Sequence, residues 1–305
     1  MNPTLRQPMR MLRHVREVRA LGADGPSRRR LGRNMIQANL KRLHFGWFWV
    51  STKLLGRGPV GVRLRLPQEA RSRGRPSAPP EPGPFPEPFP FHYRAATTDL
   101  LVLEQVFVEH EYAAAGIAPE GIEFILDLGS NIGLTALWWA CRHPAARMIL
   151  VEPDPDNFAL LQQNTAPFKD RCLLVNAAVS HTSGRTRFFR AEREYGHSIL
   201  RTADCVSEIE VQTLTLNALL DLAGFPRLDL LKMDIEGAER LLMPTIPSWN
   251  LVPRFLIAEL HPPYEFKDFA GHCQQVGLRA IAPGPGTGAG KVPLAVRASE
   301  ALDRH

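Results

Sequence analysis

The chain has 305 residues, of which 44% are hydrophobic and 22% are charged, so it can bury a large core and is not a disordered protein. Its four cysteines show no Cys-x-x-Cys spacing, which argues against a zinc cluster or a disulfide framework and favours a reducing, cytoplasmic compartment. No apolar run approaches the roughly 20 residues of a membrane-spanning helix, and the amino terminus lacks the apolar core of a secretory signal.

The positive charge is concentrated at the start of the chain. Residues 1–75 hold 18 lysines and arginines but three acids, a net charge of +15, which leaves −9 for the other residues in the total of +6. We therefore expect a basic, arginine- and tryptophan-rich amino-terminal extension. Its segment 35–55 mixes apolar, aromatic and basic residues. This suits an amphipathic helix packed on the folded body, a peripheral contact with an anionic membrane, or nucleic-acid binding.

A proline-rich stretch follows the extension. Eight of the fifteen residues 76–90 are proline, which predicts an extended linker that is neither helix nor central strand. We expect a folded domain over residues 91–305. It opens with a helix that Thr98 and Asp99 can cap.

A strand, a glycine turn and a helix then follow one another directly. Residues 124–128 are an apolar run typical of a buried parallel strand, and Asp127, Gly129 and Gly133 mark a tight turn. From Leu134 onward, apolar residues recur at the spacing of one helix face. In a doubly wound α/β sheet this turn lies at the carboxyl edge, with helix N–H groups directed at a ligand. Glycine there permits close approach of the ligand or a positive φ angle.

Further apolar runs complete the predicted sheet. They span residues 148–151, 172–175, 228–232, 255–260, 278–282 and 292–296. The first of these ends at Glu152, 23 residues after Gly129, where a carboxylate can accept hydrogen bonds from ribose hydroxyls. The second precedes Asn176 and Ala177, whose small side chains suit an adenine ring. Residues 185–211 contain short strand-like pieces and a polar loop, residues 195–198, that would reach the same edge.

Charged residues gather where the later strands end. Lys232, Asp234 and Glu236 alternate, so in an extended chain they would project to the same side. Three such charges at a carboxyl edge are costly unless they bind a ligand or take part in catalysis. Glu259 and His261 end the next strand.

Five motifs occur in order along this domain. They are Asp-Leu-Gly-Ser-Asn-Ile-Gly (127–133), Val-Glu-Pro (151–153), Asn-Ala-Ala-Val (176–179), Lys-Met-Asp-Ile-Glu-Gly-Ala-Glu (232–239) and Glu-Leu-His (259–261). Together they resemble the FkbM family of S-adenosylmethionine (SAM)-dependent methyltransferases. The resemblance implies a doubly wound, seven-stranded class I (Rossmann-like) methyltransferase sheet. It also implies O-methylation of a sugar, glycolipid or natural-product hydroxyl.

The resemblance further implies a SAM site built from the glycine turn and the ends of the next two strands. Its residues would be Asp127, Gly129, Asn131, Gly133, Glu152, Asn176 and Ala177. Asp234 and Glu236 would lie beside the sulfonium and the acceptor.

The reaction itself needs alignment and a proton acceptor. Methyl transfer is an in-line displacement, so catalysis depends on positioning, and a base adds roughly 10²–10⁴-fold. Our candidates are His261, whose unperturbed pKa is nearest to neutrality, and Asp234, with Glu236 behind them. We expect no bound metal, although Asp234, Glu259 and His261 are a set that could hold a divalent cation and so acidify the hydroxyl.

Two other functions stay open. A nicotinamide oxidoreductase would share the sheet, but Asp-x-Gly-x-x-x-Gly differs from the usual dinucleotide spacing. A nucleic-acid methyltransferase or binder would use the basic extension, but the negative body argues against a phosphate track. The expected partners are therefore a small-molecule or glycan hydroxyl acceptor and, through residues 1–75, an anionic membrane surface.

Overall fold

The described part of the chain comprises several ranges. The computed structural model describes residues 3–42, 59–64, 88–95, 97–112, 121–191, 196–201, 205–283 and 292–297. The aromatic part of the predicted segment 35–55 and most of the predicted linker 76–90 lie outside these ranges. Among the described helices, none is both long enough and apolar enough to cross a lipid bilayer.

Helices and strands alternate through most of the chain. The helices are α1 (Pro3–Ala20), α2 (Gly25–Arg42), α3 (Asp99–Phe107), α4 (Leu134–Arg142), α5 (Pro155–Thr165), α6 (Leu216–Ala223), α7 (Glu239–Leu242) and α8 (Phe266–Gln274). The strands are β1 (Pro59–Leu64), β2 (Phe89–Arg94), β3 (Phe124–Leu128), β4 (Arg147–Val151), β5 (Cys172–Val175), β6 (Ala178–Val179), β7 (Gly184–Ala191), β8 (Cys205–Leu214), β9 (Leu230–Met233), β10 (Phe255–Ala258), β11 (Leu278–Ile281) and β12 (Leu294–Arg297).

The central sheet has seven strands in the order β5-β4-β3-β9-β10-β12-β11. Strands β5, β4, β3, β9 and β10 run parallel, and β12 is antiparallel to both of its neighbours. The chain winds outward from β3 on one side and from β9 on the other. The topological switch point, where ligands bind in doubly wound sheets, therefore lies between β3 and β9. The predicted class I methyltransferase sheet is confirmed.

The predicted sheet strands agree with the structure to within two residues at each end. They were recognisable because the central strands β3, β4, β9 and β10 are largely buried along their length. The sequence did not predict the separate three-stranded sheet in which β8 pairs with β6 and β7. Strands β7 and β8 are largely exposed or half-buried and carry charged residues, so they contain no long apolar run.

The two amino-terminal helices pack on the folded body. Helices α1 and α2 lie against each other and against α3. The buried side chains of Val18, Leu31 and Met35 belong to the same hydrophobic core as Trp138 of α4. In the described residues, the predicted extension and the predicted domain thus share one core.

A strand and a buried hydrogen bond strengthen this attachment. Strand β1 pairs with β2 in an antiparallel ribbon, so the last residues of the predicted linker, Phe89 and Pro90, are already part of a strand. The Asn34 side-chain amide in α2 donates to the Tyr93 hydroxyl in β2 at 2.8 Å, with both groups buried. Such a bond is costly to break because it leaves a buried polar group unpaired.

We predict that Met35→Ala destabilises the whole chain, whereas Ile36→Ala does not. Met35 is fully buried, and Ile36, the next residue of α2, is 41% exposed. Truncating a buried methionine costs about 2–5 kcal/mol of unfolding free energy, and a surface substitution costs about 0.5 kcal/mol or less. Urea denaturation followed by circular dichroism measures both. Equal midpoints for the two variants would mean that α2 does not share the core.

Candidate active site

A cavity of about 480 Å³ opens at the carboxyl edge of the central strands. Loops after β3, β4, β9 and β10, helix α3 and His197 contribute to its wall, so the predicted polar loop does reach the site. Its wall carries the carboxylates of Glu104, Glu109, Glu111, Glu152, Asp234, Glu236 and Glu259. Within the described lining, Lys232 is the one lysine or arginine. The cavity therefore favours a cationic or neutral ligand over a phosphate.

Packing of the chain requires the glycines of the turn after β3. Gly129 and Gly133 have φ angles of 78° and 91°. A Cβ on Gly129 would lie 1.8 Å from the Asp234 carbonyl oxygen, and one on Gly133 would lie 3.0 Å from the Leu161 side chain in α5. The expectation of a positive φ was correct. Gly129 lines the cavity, whereas Gly133 faces α5, so the close approach of a ligand stays a prediction for Gly129.

The backbone N–H groups of residues 129–133 all have acceptors within the chain. The Val151 carbonyl accepts from Gly129 and Ser130, Glu152 from Asn131, the Asn131 side chain from Ile132, and the Ser130 carbonyl from Gly133. The N–H groups of these turn residues are therefore not available to a phosphate. The prediction concerned the N–H groups of the helix itself, which begins at Leu134, and for that helix it stays a prediction.

A buried ion pair lies beneath the cavity. Asp127 and Lys232 are opposite each other on the parallel strands β3 and β9, with Nζ 3.2 Å from Oδ1. The Lys232 ammonium also donates to the Gly129 carbonyl at 2.7 Å, and the Thr135 hydroxyl donates to Asp127 at 2.5 Å. Burial acts to lower the pKa of Lys232, but the charges of Asp127 and Asp234 outweigh it and raise that pKa, so the lysine stays charged. Fully buried Asp127 does not line the cavity.

Glu152 lines the cavity at the end of β4, where the sequence predicted a ribose ligand. Its carboxylate accepts from the backbone N–H of Asn131 at 2.8 Å and of Asp154 at 2.9 Å. Burial raises the pKa of Glu152 to about 7. Asn176 does not line the cavity, because its amide donates to the backbone carbonyl of Glu152 at 2.8 Å, whereas Ala177 beside it does.

Asp234 lines the cavity directly after β9. Its Oδ2 accepts from the Tyr112 hydroxyl at 3.2 Å and lies 3.7 Å from Lys232 Nζ. Its Oδ1 is buried and has no hydrogen-bond donor among the described residues. Burial and the neighbouring Asp234 charge raise the pKa of Tyr112 well above its usual value, so its hydroxyl keeps its proton. The sequence did not predict Tyr112, since it stands outside every motif.

His261 lies between two glutamates. Its Nδ1 is 3.1 Å from Glu239 Oε1, and its Nε2 is 3.2 Å from Glu236 Oε2. Burial acts to lower the pKa of His261, but the hydrogen bonds to these glutamates outweigh it and raise that pKa to about 11. The near-neutral pKa that favoured His261 as a base is therefore wrong for this structure. Glu239, fully buried and also accepting from the Ile235 N–H, was not predicted as a site residue.

Glu259 completes this acidic cluster at the end of β10. The charge of Asp234, together with burial, raises the pKa of Glu259 to about 8. Asp234, Glu259 and His261 each offer one ligand atom, and these atoms lie within 4.8 Å of one another. A second such group, away from the strand ends, consists of His14 in α1, Glu104 in α3 and Glu109.

Comparisons with known proteins agree with this geometry. The family model described as "Methyltransferase FkbM domain" matches residues 127–274. The chain is 32% identical over 173 residues to 2-O-methyltransferase NoeI of Sinorhizobium fredii, covering 52% of this chain and 68% of NoeI. It is 24% identical over 202 residues to 31-O-demethyl-FK506 methyltransferase FkbM of Streptomyces tacrolimicus, covering 56% of this chain and 77% of that protein.

Among solved structures, the precorrin-6Y C5,15-methyltransferase from Geobacter metallireducens is similar over 63% of this chain and 88% of its own, with 10% identity and a TM-score of 0.39. The five ordered motifs, the strand order and the match to NoeI over two thirds of its length lead to one assignment. The chain belongs to the FkbM family of SAM-dependent methyltransferases.

Proposed function

We propose that this methyltransferase transfers the methyl group of SAM to a hydroxyl oxygen of a small molecule or glycan. The observation that carries the proposal is the acidic cavity at the switch point between β3 and β9. The sulfonium of SAM is a permanent cation, and a wall of carboxylates attracts a cation while it repels phosphate. The bonded amides of residues 129–133 also leave the turn without an anion site.

We assign cofactor binding to the predicted residues that line the cavity, Gly129, Asn131, Glu152 and Ala177. The Glu152 carboxylate is suited to accept hydrogen bonds from two neighbouring ribose hydroxyls. The fully buried Ala177 leaves room for a flat ring at the cavity wall. The other predicted cofactor residues act indirectly, by fixing the turn and the strand ends. They are Asp127, Gly133 and Asn176.

We propose that Asp234 accepts the proton of the acceptor hydroxyl. When bound, SAM supplies an electrophilic methyl group, and the chain must align the acceptor oxygen with it and accept the proton. Asp234 lines the cavity, its Oδ1 has no donor among the described residues, and Tyr112 donates to its Oδ2. His261, kept protonated by Glu236 and Glu239, would hold Glu236 in position instead of acting as the base.

The acceptor we propose is a sugar, glycolipid or natural-product hydroxyl. By their names, NoeI is a 2-O-methyltransferase and FkbM is a 31-O-demethyl-FK506 methyltransferase, which supports oxygen as the methylated atom. The carboxylates of Glu104, Glu109 and Glu111 line the cavity on the side of α3. Each carboxylate can accept several hydrogen bonds, so this wall suits an acceptor with many hydroxyl groups. The same charges disfavour the alternative, a nucleic-acid acceptor.

Glu152→Gln is expected to weaken SAM binding about 10–100-fold, because a hydrogen bond to a charged group contributes about 1.5–3 kcal/mol. Isothermal titration calorimetry of the full-length chain with SAM measures the affinity. Glu208→Gln in β8, where the side chain is 49% exposed, is the matched control and should bind as the wild type does. An unchanged affinity in Glu152→Gln would refute the ribose assignment.

Asp234→Asn is expected to lower kcat for methyl transfer about 10²–10⁴-fold, since the asparagine amide cannot accept the hydroxyl proton. Transfer is measured with methyl-labelled SAM and a panel of sugar glycosides, a glycolipid and a macrolide. Circular dichroism checks folding, which the variant should retain because asparagine still accepts from Tyr112. Full activity in Asp234→Asn would exclude it as the base, and transfer to none of these acceptors by a wild type that binds SAM would count against O-methylation.

We also propose that α1 and α2 contact an anionic membrane surface. Their exposed residues include Arg13, Arg16, Arg19, Arg28, Arg29, Arg30 and Arg33. Leu12 and Ile36 on the same helices are 62% and 41% exposed. Arginines beside exposed aliphatic side chains are typical of helices that lie on a charged lipid surface.

The full-length chain should therefore sediment with phosphatidylglycerol vesicles at low salt and not with phosphatidylcholine vesicles. A double variant, Arg16→Ala with Arg29→Ala, should bind about tenfold more weakly or worse, because each arginine near such a surface contributes about 1 kcal/mol. Arg185→Ala, which removes an exposed arginine from β7, is the control. If the wild type does not sediment with the anionic vesicles, the membrane contact is excluded.

A further inference from the structure

We propose that Asp234, Glu259 and His261 form a binding site for a hard divalent cation, Mg²⁺ or Mn²⁺, which holds the acceptor hydroxyl. All three residues line the cavity, Asp234 and Glu259 as the first residues after neighbouring strands β9 and β10. The inference rests on the proposed function, because the cation would act on the hydroxyl that receives the methyl group.

The spacing of the three side chains fits a single cation. One ligand atom from each residue lies within 4.8 Å of the other two. A cation with ligand bonds of about 2.0–2.6 Å keeps its ligand atoms within about 5 Å of one another. Small side-chain rotations would therefore bring all three atoms into contact with one ion.

One ring nitrogen of His261 is held by a buried carboxylate, as is common for histidines that bind metals. Its Nδ1 lies 3.1 Å from the fully buried Glu239 carboxylate, which leaves Nε2 turned toward Glu236 and Glu259, at 3.2 and 4.0 Å. A carboxylate at one ring nitrogen fixes the other nitrogen for a metal and increases its basicity. On binding, the Nε2 proton is exchanged for the cation.

Asp234 offers an oxygen for the same ion. Tyr112 and Lys232 lie at its Oδ2, whereas Oδ1 is buried without a hydrogen-bond donor among the described residues. A ligand atom of the neighbouring Glu259 lies within 4.8 Å of one from Asp234, so the two carboxylates repel each other when both are charged. A dication between them would turn this repulsion into attraction.

The donor set selects the class of metal. Mn²⁺ and Mg²⁺ prefer oxygen ligands, so two carboxylates and one imidazole suit them. The same set suits metals that prefer thiolate ligands less well. Three protein ligands leave positions open toward the cavity for water and for the acceptor oxygen. The protein would then supply a cation that lowers the pKa of the hydroxyl.

The resulting step balances with solvent water as the final proton acceptor. The acceptor O–H bond breaks and its proton passes to water. The oxygen forms a bond to the methyl carbon, the carbon–sulfur bond breaks, and its electron pair stays on sulfur as a neutral thioether. In this arrangement Asp234 assists the loss of the proton as a ligand of the cation.

The second group of potential ligands has a structural explanation. His14 contacts Glu104 directly, and both side chains are buried where α1 packs on α3. An ion pair that joins two helices accounts for this contact without a metal. The group provides a useful comparison, because it has a similar donor set.

Electron paramagnetic resonance of Mn²⁺ tests the site directly. The full-length chain is treated with a chelator, dialysed and titrated with Mn²⁺, and the signal of free Mn²⁺ gives the bound fraction. We expect one Mn²⁺ per chain in the wild type and an affinity at least about tenfold weaker in Glu259→Gln. Glu208→Gln, which removes an exposed carboxylate from β8, should bind as the wild type does. Glu109→Gln removes a carboxylate from the second group of potential ligands, so it shows which of the two groups binds Mn²⁺.

Each outcome bears on one proposal. Binding lost in Glu259→Gln, together with methyl transfer that stops with the chelator and returns with Mn²⁺, supports the cation site. No Mn²⁺ binding by a wild type that still binds SAM overturns it and leaves the proposed function intact. Binding lost in Glu109→Gln but kept in Glu259→Gln overturns it too. Mn²⁺ bound at the predicted residues by a chain that does not bind SAM would refute the proposed function alone.

Discussion

The buried pair of Lys232 and Asp127 is the interaction on which the active site depends. It joins β3 to β9 at the switch point, and the same ammonium holds the Gly129 carbonyl of the turn. Removing one partner of a buried pair costs about 3–5 kcal/mol, because the other charge is then buried alone. Lys232 therefore has a structural role in the charged motif of β9 while it also lines the cavity, and Asp234 lines the cavity directly after the strand. Alternation along the strand alone does not separate these two tasks.

Above this pair, the described cavity wall carries several carboxylates but one lysine, so its negative charge is not balanced. Burial and neighbouring carboxylates raise the pKa values of Glu152, Glu236 and Glu259. A nearby cation favours the charged form of such carboxylates. The sulfonium and the proposed dication would both offset the repulsion among them.

The sequence predicted the central sheet well because its strands are buried, and the position of Glu152 followed from the strand that precedes it. It could not predict which of the turn residues face the ligand, since that depends on the register of β3 against β9 and on the packing of α5. The sequence also could not predict which side chains contact His261. Glu239 is 22 residues earlier in the chain and meets His261 only in the fold. The pKa of free histidine therefore does not describe His261 between these two glutamates.

One side of the cavity wall comes from residues that precede the family-model match. The match begins at residue 127, whereas Glu104, Glu109 and Glu111 precede it. The basic helix α1 packs on α3, and its His14 contacts Glu104. The basic amino-terminal segment, which composition alone separates from the domain, is thus connected to the cavity by the buried contact between His14 and Glu104.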